Sequence, residues 1–172
     1  QYLRTVVDVM MTSPVPMVLL WGPDGVLIYN DGYRIIAGAK HPALLGSKVL
    51  EGWPEVADFN DNVMRVGLAG GALAYKDQEL TLHRSGRPEQ VWMNLDYSPV
   101  LDEGGRPVGV LCILAETTER VAAEQRHLAA EAALRESEAQ QRFVLELTDQ
   151  LRVLTTPADI VETAARQLGD RL

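Results

Sequence analysis

Cysteine is almost missing: Cys112 is the single one in 172 residues. No internal disulfide can form, and the chain is expected to suit a reducing cytoplasm. Long apolar runs are missing too. The longest span a few residues, far below the ~20 that a membrane-crossing helix needs. No basic stretch followed by an apolar one opens the chain, so no secretory signal is read. Gln1 in place of an initiator methionine gives the expectation of a fragment. Positive charge is in deficit, with 16 Lys and Arg against 24 Asp and Glu and a formal net charge of −8. That balance argues against nucleic acid or an anionic membrane as partners. The three histidines are His41 in a loop, His83 read on a strand and His127 on a helix. None is paired at metal-ligand spacing, so no metal is expected. Gly70-Gly71 and Gly104-Gly105 lack the strand-to-helix context of a phosphate loop. With no nucleophile–base or metal constellation, no enzyme is read within these residues.

What is present centres on residues 108–120, VGVLCILAETTER. The first half predicts a strand with apolar side chains at both parities: Val108, Val110, Cys112 and Leu114 on one, Leu111 and Ile113 on the other. Such a strand is expected inside a sheet and covered on both faces. The second half, Glu116, Thr117, Thr118, Glu119 and Arg120, turns it directly into a long polar helix.

In chain order, Leu3, Val6, Val7, Val9 and Met10 predict an amphipathic N-terminal helix that stops at Ser13-Pro14. Met17 to Trp21 and Val26 to Tyr29 read as paired strands around a Gly22-Pro23-Asp24-Gly25 turn. Asn30-Asp31 caps a helix carrying Tyr33, Ile35 and Ile36. Residues 38–56 are broken by Gly and Pro and predict short helical turns. Asp58 to Leu68 predicts a helix with Phe59, Val63, Met64 and Val66 near one face. Three strands follow: Tyr75 to Arg84, Gln90 to Val100 and the central one. Two strands, small helices and three more strands give an α+β fold, a five-stranded antiparallel sheet with helices gathered on one face.

Residues 117–152 contain neither Gly nor Pro and predict one long helix. Val144, Leu147, Leu151 and Leu154 step by 3, 4 and 3, a dimer-type seam. The seam is weak over residues 135–142, where Ala139 is the one apolar residue. Thr156-Pro157 starts a further helix. The domains read as 1–14 an N-terminal cap helix, 15–116 a core domain, 117–152 a coiled-coil linker and 153–172 the truncated start of another domain.

Trp21-Gly22-Pro23-Asp24, Tyr29-Asn30-Asp31, Lys40-His41-Pro42, Trp53-Pro54-Glu55, Tyr97-Ser98-Pro99 and Glu116-Thr117-Thr118-Glu119-Arg120 together give a resemblance. Over about residues 15–120 the chain resembles the PAS sensor domains of bacterial signalling proteins, most of all those that precede a GAF domain in sensor histidine kinases. PAS domains commonly end their last strand in an Asp-x-Thr turn that opens a signalling helix. Glu116 stands in the Asp place and Thr118 in the Thr place, which keeps the carboxylate of the family's salt bridge. The tail from Phe143 to Leu172 is similar to the opening helices of a GAF domain.

The resemblance implies a cytoplasmic sensory module and a homodimer held through the helical linker and the N-terminal helix. Its output would come from downstream GAF or kinase domains, so any kinase activity lies outside this chain. His127 is followed by Leu128-Ala129-Ala130, unlike a phosphoacceptor, and reads as a solvated helix position. Haem-binding relatives carry a His on the long helix before the third strand, and Asp58 to Leu68 has none. Flavin photosensors carry Asn-Cys-Arg on a short helix, and no such motif occurs. No cofactor is therefore expected. A small organic ligand fits a cavity walled by Tyr33, Trp53, Met64, Met93, Tyr97 and Cys112. The other reading of the same six residues is a filled core in a ligand-free dimerisation scaffold.

Overall fold

The computed structural model describes residues 2–152. Helix α1 (Tyr2–Thr12) leads into strands β1 (Met17–Trp21) and β2 (Val26–Tyr29). Helix α2 (Asp31–Ala37), a 3₁₀ turn at Gly38–Lys40, helix α3 (Val49–Gly52), a second 3₁₀ turn at Pro54–Val56 and helix α4 (Ala57–Leu68) follow. Strands β3 (Leu73–Leu82), β4 (Glu89–Leu101) and β5 (Pro107–Glu116) then precede helix α5 (Thr118–Arg152). The strands form one antiparallel sheet in the order β2-β1-β5-β4-β3. The last of the described strands is thus the central one, as the sequence predicts.

Register places the core on one face of this sheet. Val18 of β1 pairs with Cys112 of β5, and Cys112 with Tyr97 of β4. Leu95 pairs with Leu114. Helices α2, α3 and α4 cover these side chains, burying Tyr33, Ile36, Val49, Trp53, Val63 and Met64 among them. Helix α4 approaches β5 closely because Gly67 faces it; a Cβ there would collide with the Val110 side chain.

The other face differs from the expectation that β5 is covered on both sides. Leu19 is fully buried there, but Leu111 is half-buried and Ile113 is 39% exposed. One short helix supplies the cover. Met10 of α1 is buried, while Thr5, Val6, Val9 and Met10 leave a groove against Met17 and Leu111.

Asn30 holds α1 in place. Its amide NH₂ donates to the carbonyls of Met10, Ser13 and Val15 at 3.1, 3.1 and 2.8 Å. Its oxygen accepts from the backbone N–H of Met17 at 3.0 Å and of Tyr33 at 3.1 Å. The expected helix cap is there, and the same side chain ties α1 to β1 and α2.

Strand β3 ends before His83, two residues earlier than the sequence suggests. The backbone N–H of His83 donates to Glu55 and the carbonyl of Arg84 accepts from Ala39, so neither residue is left for the ladder. The chain divides into two units, one through Val121 and one from Ala122 on. Helix α5 has 35 residues, a length of about 50 Å. Among the described residues no helix is long and apolar enough to cross a membrane.

Candidate functional site

Two features stand out, a cavity in the core and the turn that joins β5 to α5. The cavity holds about 50 Å³ between the sheet and helices α2 to α4. Tyr33, Trp53, Met93, Tyr97 and Cys112 line it, five of the six side chains that the sequence groups together. Met64 does not. It is buried one helical turn further on, against Val49 beneath the β1–β2 turn, where a Cβ on Gly25 would meet both side chains. In its place α4 turns Phe59 and Asn60 to the cavity. The spacing 60, 63, 64, 67 is the buried stripe of α4, so the helical period itself points to Asn60.

The walls are uncharged: among the described residues no Asp, Glu, Lys, Arg or His lines the cavity. Trp53 Nε1 donates to the Tyr33 hydroxyl at 3.1 Å. Burial raises the phenols of Tyr33 and Tyr97 above their ordinary value, so both stay neutral. Burial also pushes the Cys112 thiol up to about 12, against a smaller opposing effect of the Tyr97 hydroxyl. Cys112 is therefore a packing residue on β5 rather than a thiolate nucleophile.

The turn is an ion-pair web. Glu116 takes two hydrogen bonds from Arg84, at 2.7 and 3.1 Å. Arg84 Nε donates to Glu89 at 2.8 Å. Thr118 Oγ1 donates to Glu116 at 2.9 Å and accepts from the Trp92 N–H at 3.1 Å. The Thr117 N–H donates to the Trp92 carbonyl at 2.7 Å, and its hydroxyl to Asp77 at 2.8 Å. Arg120 pairs with Asp77 as well. Asp77 sits in a bulge of β3 with φ +49°, and its N–H donates to Asn94 at 2.9 Å. Glu119 is exposed. The Arg84 guanidinium beside Glu116 holds that carboxyl below the usual range despite partial burial. Arg84 is thus the partner of the carboxylate at the end of β5.

Behind this web lies a second pair that sequence reasoning passes over. Lys40 Nζ donates to both Glu55 oxygens at 3.0 and 3.1 Å and to the Gly52 carbonyl at 2.8 Å. It lies 4.4 Å from the centre of the Trp53 ring. The Glu55 side chain is 7% exposed, and burial pushes its carboxyl up. Its own backbone N–H, the His83 N–H and Lys40 outweigh that and leave it below the ordinary value. The Glu55 bond from His83, 2.6 Å long, brings the cavity wall at Trp53 to the residue next to Arg84. No signal in the sequence joins Glu55 to position 83.

On α5, His127 is exposed, 3.9 Å from Glu131. Val144 is 53% exposed and Leu147 half-buried. Leu151 falls on the helix, and Leu154 and the GAF-like start lie outside the described residues. Among the described residues no group of His, Cys, Asp and Glu is placed to hold a metal.

A family model described as the PAS fold matches residues 12–122, from the end of α1 to the first turn of α5. This chain belongs to the PAS family. PAS domains are sensory, non-catalytic modules, and the five-stranded antiparallel sheet with its helices is the PAS fold. The PAS domain of BvgS from Bordetella pertussis is similar with a TM-score of 0.54 at 21% identity, over 76% of this chain and 97% of that one. An RNA-binding light-oxygen-voltage receptor is similar with a TM-score of 0.53 at 19% identity, over 79% of this chain and 38% of that one. A LOV protein from Rhodobacter sphaeroides gives 0.52 at 19% identity, over 72% and 74%. At such identities the likeness is one of fold. No curated protein matches the chain.

Proposed function

We propose that this PAS domain is the sensory and dimerisation module of a cytoplasmic bacterial signal-transduction protein, of the sensor histidine kinase type. A change at the core cavity passes through the turn at Glu116–Arg120 into α5. There a parallel coiled coil of two chains, seamed at Val144, Leu147, Leu151 and Leu154, carries it to a GAF-like domain beginning near residue 153. Catalysis belongs to domains beyond this segment.

One observation carries the reading. Trp53, a cavity wall, is linked through Lys40 and Glu55 to the His83 N–H, and the neighbouring Arg84 grips Glu116 at the head of α5. A shift of Trp53 therefore has a short polar route to the first turn of α5. The hydrogen bonds of Glu55 go to Lys40 and His83 rather than to α5, so Glu55→Ala separates the route from local support. Hydrogen exchange of the Thr117 and Val121 amides is expected to speed up in that variant. Unchanged exchange would remove the route. In the signalling protein that carries this segment, Glu116→Ala or Thr118→Ala is expected to alter output with folding intact.

A second reading, a ligand-free interaction scaffold, is favoured by the cavity volume of about 50 Å³, well below the ~300 Å³ at which ordinary ligand pockets start. Native mass spectrometry of freshly purified protein separates the two. A mass lost on denaturation supports the sensor, and bare polypeptides support the scaffold.

A further inference from the structure

His41 is the histidine that reaches the core. It sits half-buried just after the 3₁₀ turn at Gly38–Lys40. Its Nδ1 lies 3.0 Å from the Tyr29 hydroxyl, and the two rings meet edge to face at 5.9 Å between centres. Tyr29 is 5% exposed, and its ring lies 5.0 Å from that of Tyr33. The Tyr33 hydroxyl in turn accepts from Trp53 Nε1 at 3.1 Å. A row of rings therefore runs from a solvent-touching imidazole to the buried indole beneath Lys40. The other histidines stand apart from it. His83 is exposed and bonds Glu55 through its backbone N–H, and His127 is exposed on α5.

The bond at the outer end of this row depends on protonation. A neutral imidazole offers Nδ1 as an acceptor, and the Tyr29 O–H donates to it. An imidazolium has no free lone pair and can only donate, so the bond must reverse. Burial raises the Tyr29 phenol above its ordinary value, which keeps the hydroxyl protonated in both states. After reversal the Tyr29 proton needs a new acceptor, and leaving it without one is costly for a buried group. Charge adds to the effect. Lys40, the preceding residue, carries an ammonium that Glu55 of the second 3₁₀ turn holds at 3.0 and 3.1 Å. From β2, Tyr29 is the titratable side chain in contact with the ring. Among the described residues no carboxylate forms an ion pair with His41, so an added positive charge would have no counterion.

We propose that His41 is a proton sensor, its protonation reversing the bond to Tyr29 and shifting the row of rings that ends at Trp53. Histidine is the side chain suited to this, since its charge changes between about pH 5 and 8. The inference deepens the reading of Trp53 as the head of a polar route to α5, and rests on that reading for transmission. At neutral pH the row keeps the packing described above. On mild acidification Tyr29 turns from His41, and Tyr33 and Trp53 adjust to it.

The test follows the His41 ring and Trp53 indole N–H resonances of this chain from about pH 5 to 8. The indole resonance is expected to move in one step that shares the midpoint of the His41 ring. His41→Gln still offers Tyr29 an acceptor but takes up no proton, and its indole resonance is expected to stay flat. His83→Gln is expected to keep the step. A flat indole in wild type, or a step that survives His41→Gln, overturns the proposal. Tyr29→Phe keeps the ring and removes the reversible bond. There the His41 ring should still titrate while the indole step is lost. A full step in Tyr29→Phe would mark a bare field effect and overturn the role of the bond. Should Tyr29→Phe fail to fold, Tyr33→Phe cuts the row one ring later and is read in the same way. The Thr117 amide separates the two readings. A step there at the same midpoint supports both, whereas a flat Thr117 beside a moving indole supports the sensor and overturns the route beyond Trp53.

Discussion

Asn30 and Arg84 each join segments that are distant in the chain, and each is a single side chain. Asn30→Ala would remove the cap of α2 together with the bonds that fix α1 and β1. A loss of about 3 kcal/mol is expected in denaturant unfolding, since a cap alone is worth about 1 and the further bonds add to it. Arg84 is the common partner of Glu116 and Glu89, and both carboxyls lie below their ordinary values because of it. A carboxyl depressed in the folded state stabilises above its unfolded value, about 4.3 for Glu. That stability drains as pH falls through the folded value. Stability should therefore decline on acidification below about pH 4.3, and the decline should be shallower in Glu116→Gln, read from urea midpoints across pH 3 to 6. None of this pairing is legible in the sequence. Arg84 and Glu116 lie 32 positions apart, and no periodicity ties a loop arginine to the end of a strand.

At the level of elements, the sequence reads well wherever turns are punctuated. Gly22 to Gly25, residues 85–88 and residues 102–105 divide strands whose pairing follows from alternation, and β5 takes the central place its apolar run predicts. Boundaries fail where a tertiary bond competes with the ladder, as at His83 and Arg84. The cavity wall fails at Met64 because size and polarity suggest a lining residue, whereas the rotation of α4 puts Asn60 there. That rotation is set by Gly67, which lets the helix settle against Val110. Gly67→Ala is a direct check. Alanine gains about 1 kcal/mol in helix propensity, so a helix not pressed against β5 would gain stability. Overpacking against Val110 costs about 1–3 kcal/mol, and a net loss of thermal stability is expected.

At the scale of the whole molecule, several large apolar side chains are left exposed by the single chain. Val9, Met11 and Ile113 are exposed near α1, and Leu128, Leu134, Val144 and Leu145 along α5. Two chains paired along the seam proposed for α5 would cover Val144 of the second set. Val144→Lys with Leu151→Lys is expected to turn a dimer into a monomer, measured by light scattering. An unchanged mass would move the interface to α1 and the sheet face beneath it. The proposal of this seam rests on hydrophobic spacing alone.

Strand β3 lies at the edge of the sheet, with ten residues whose outer backbone has no neighbouring strand among the described residues. A long, flat edge invites a second molecule to add its own strand and begin a fibre. Here the edge is broken at Asp77, whose bulge bends the strand and whose carboxylate is tied to Thr117 and Arg120. The contacts that fasten the head of α5 thus also keep the edge irregular. A variant that frees Asp77 to gain a looser switch would give up part of the protection against aggregation.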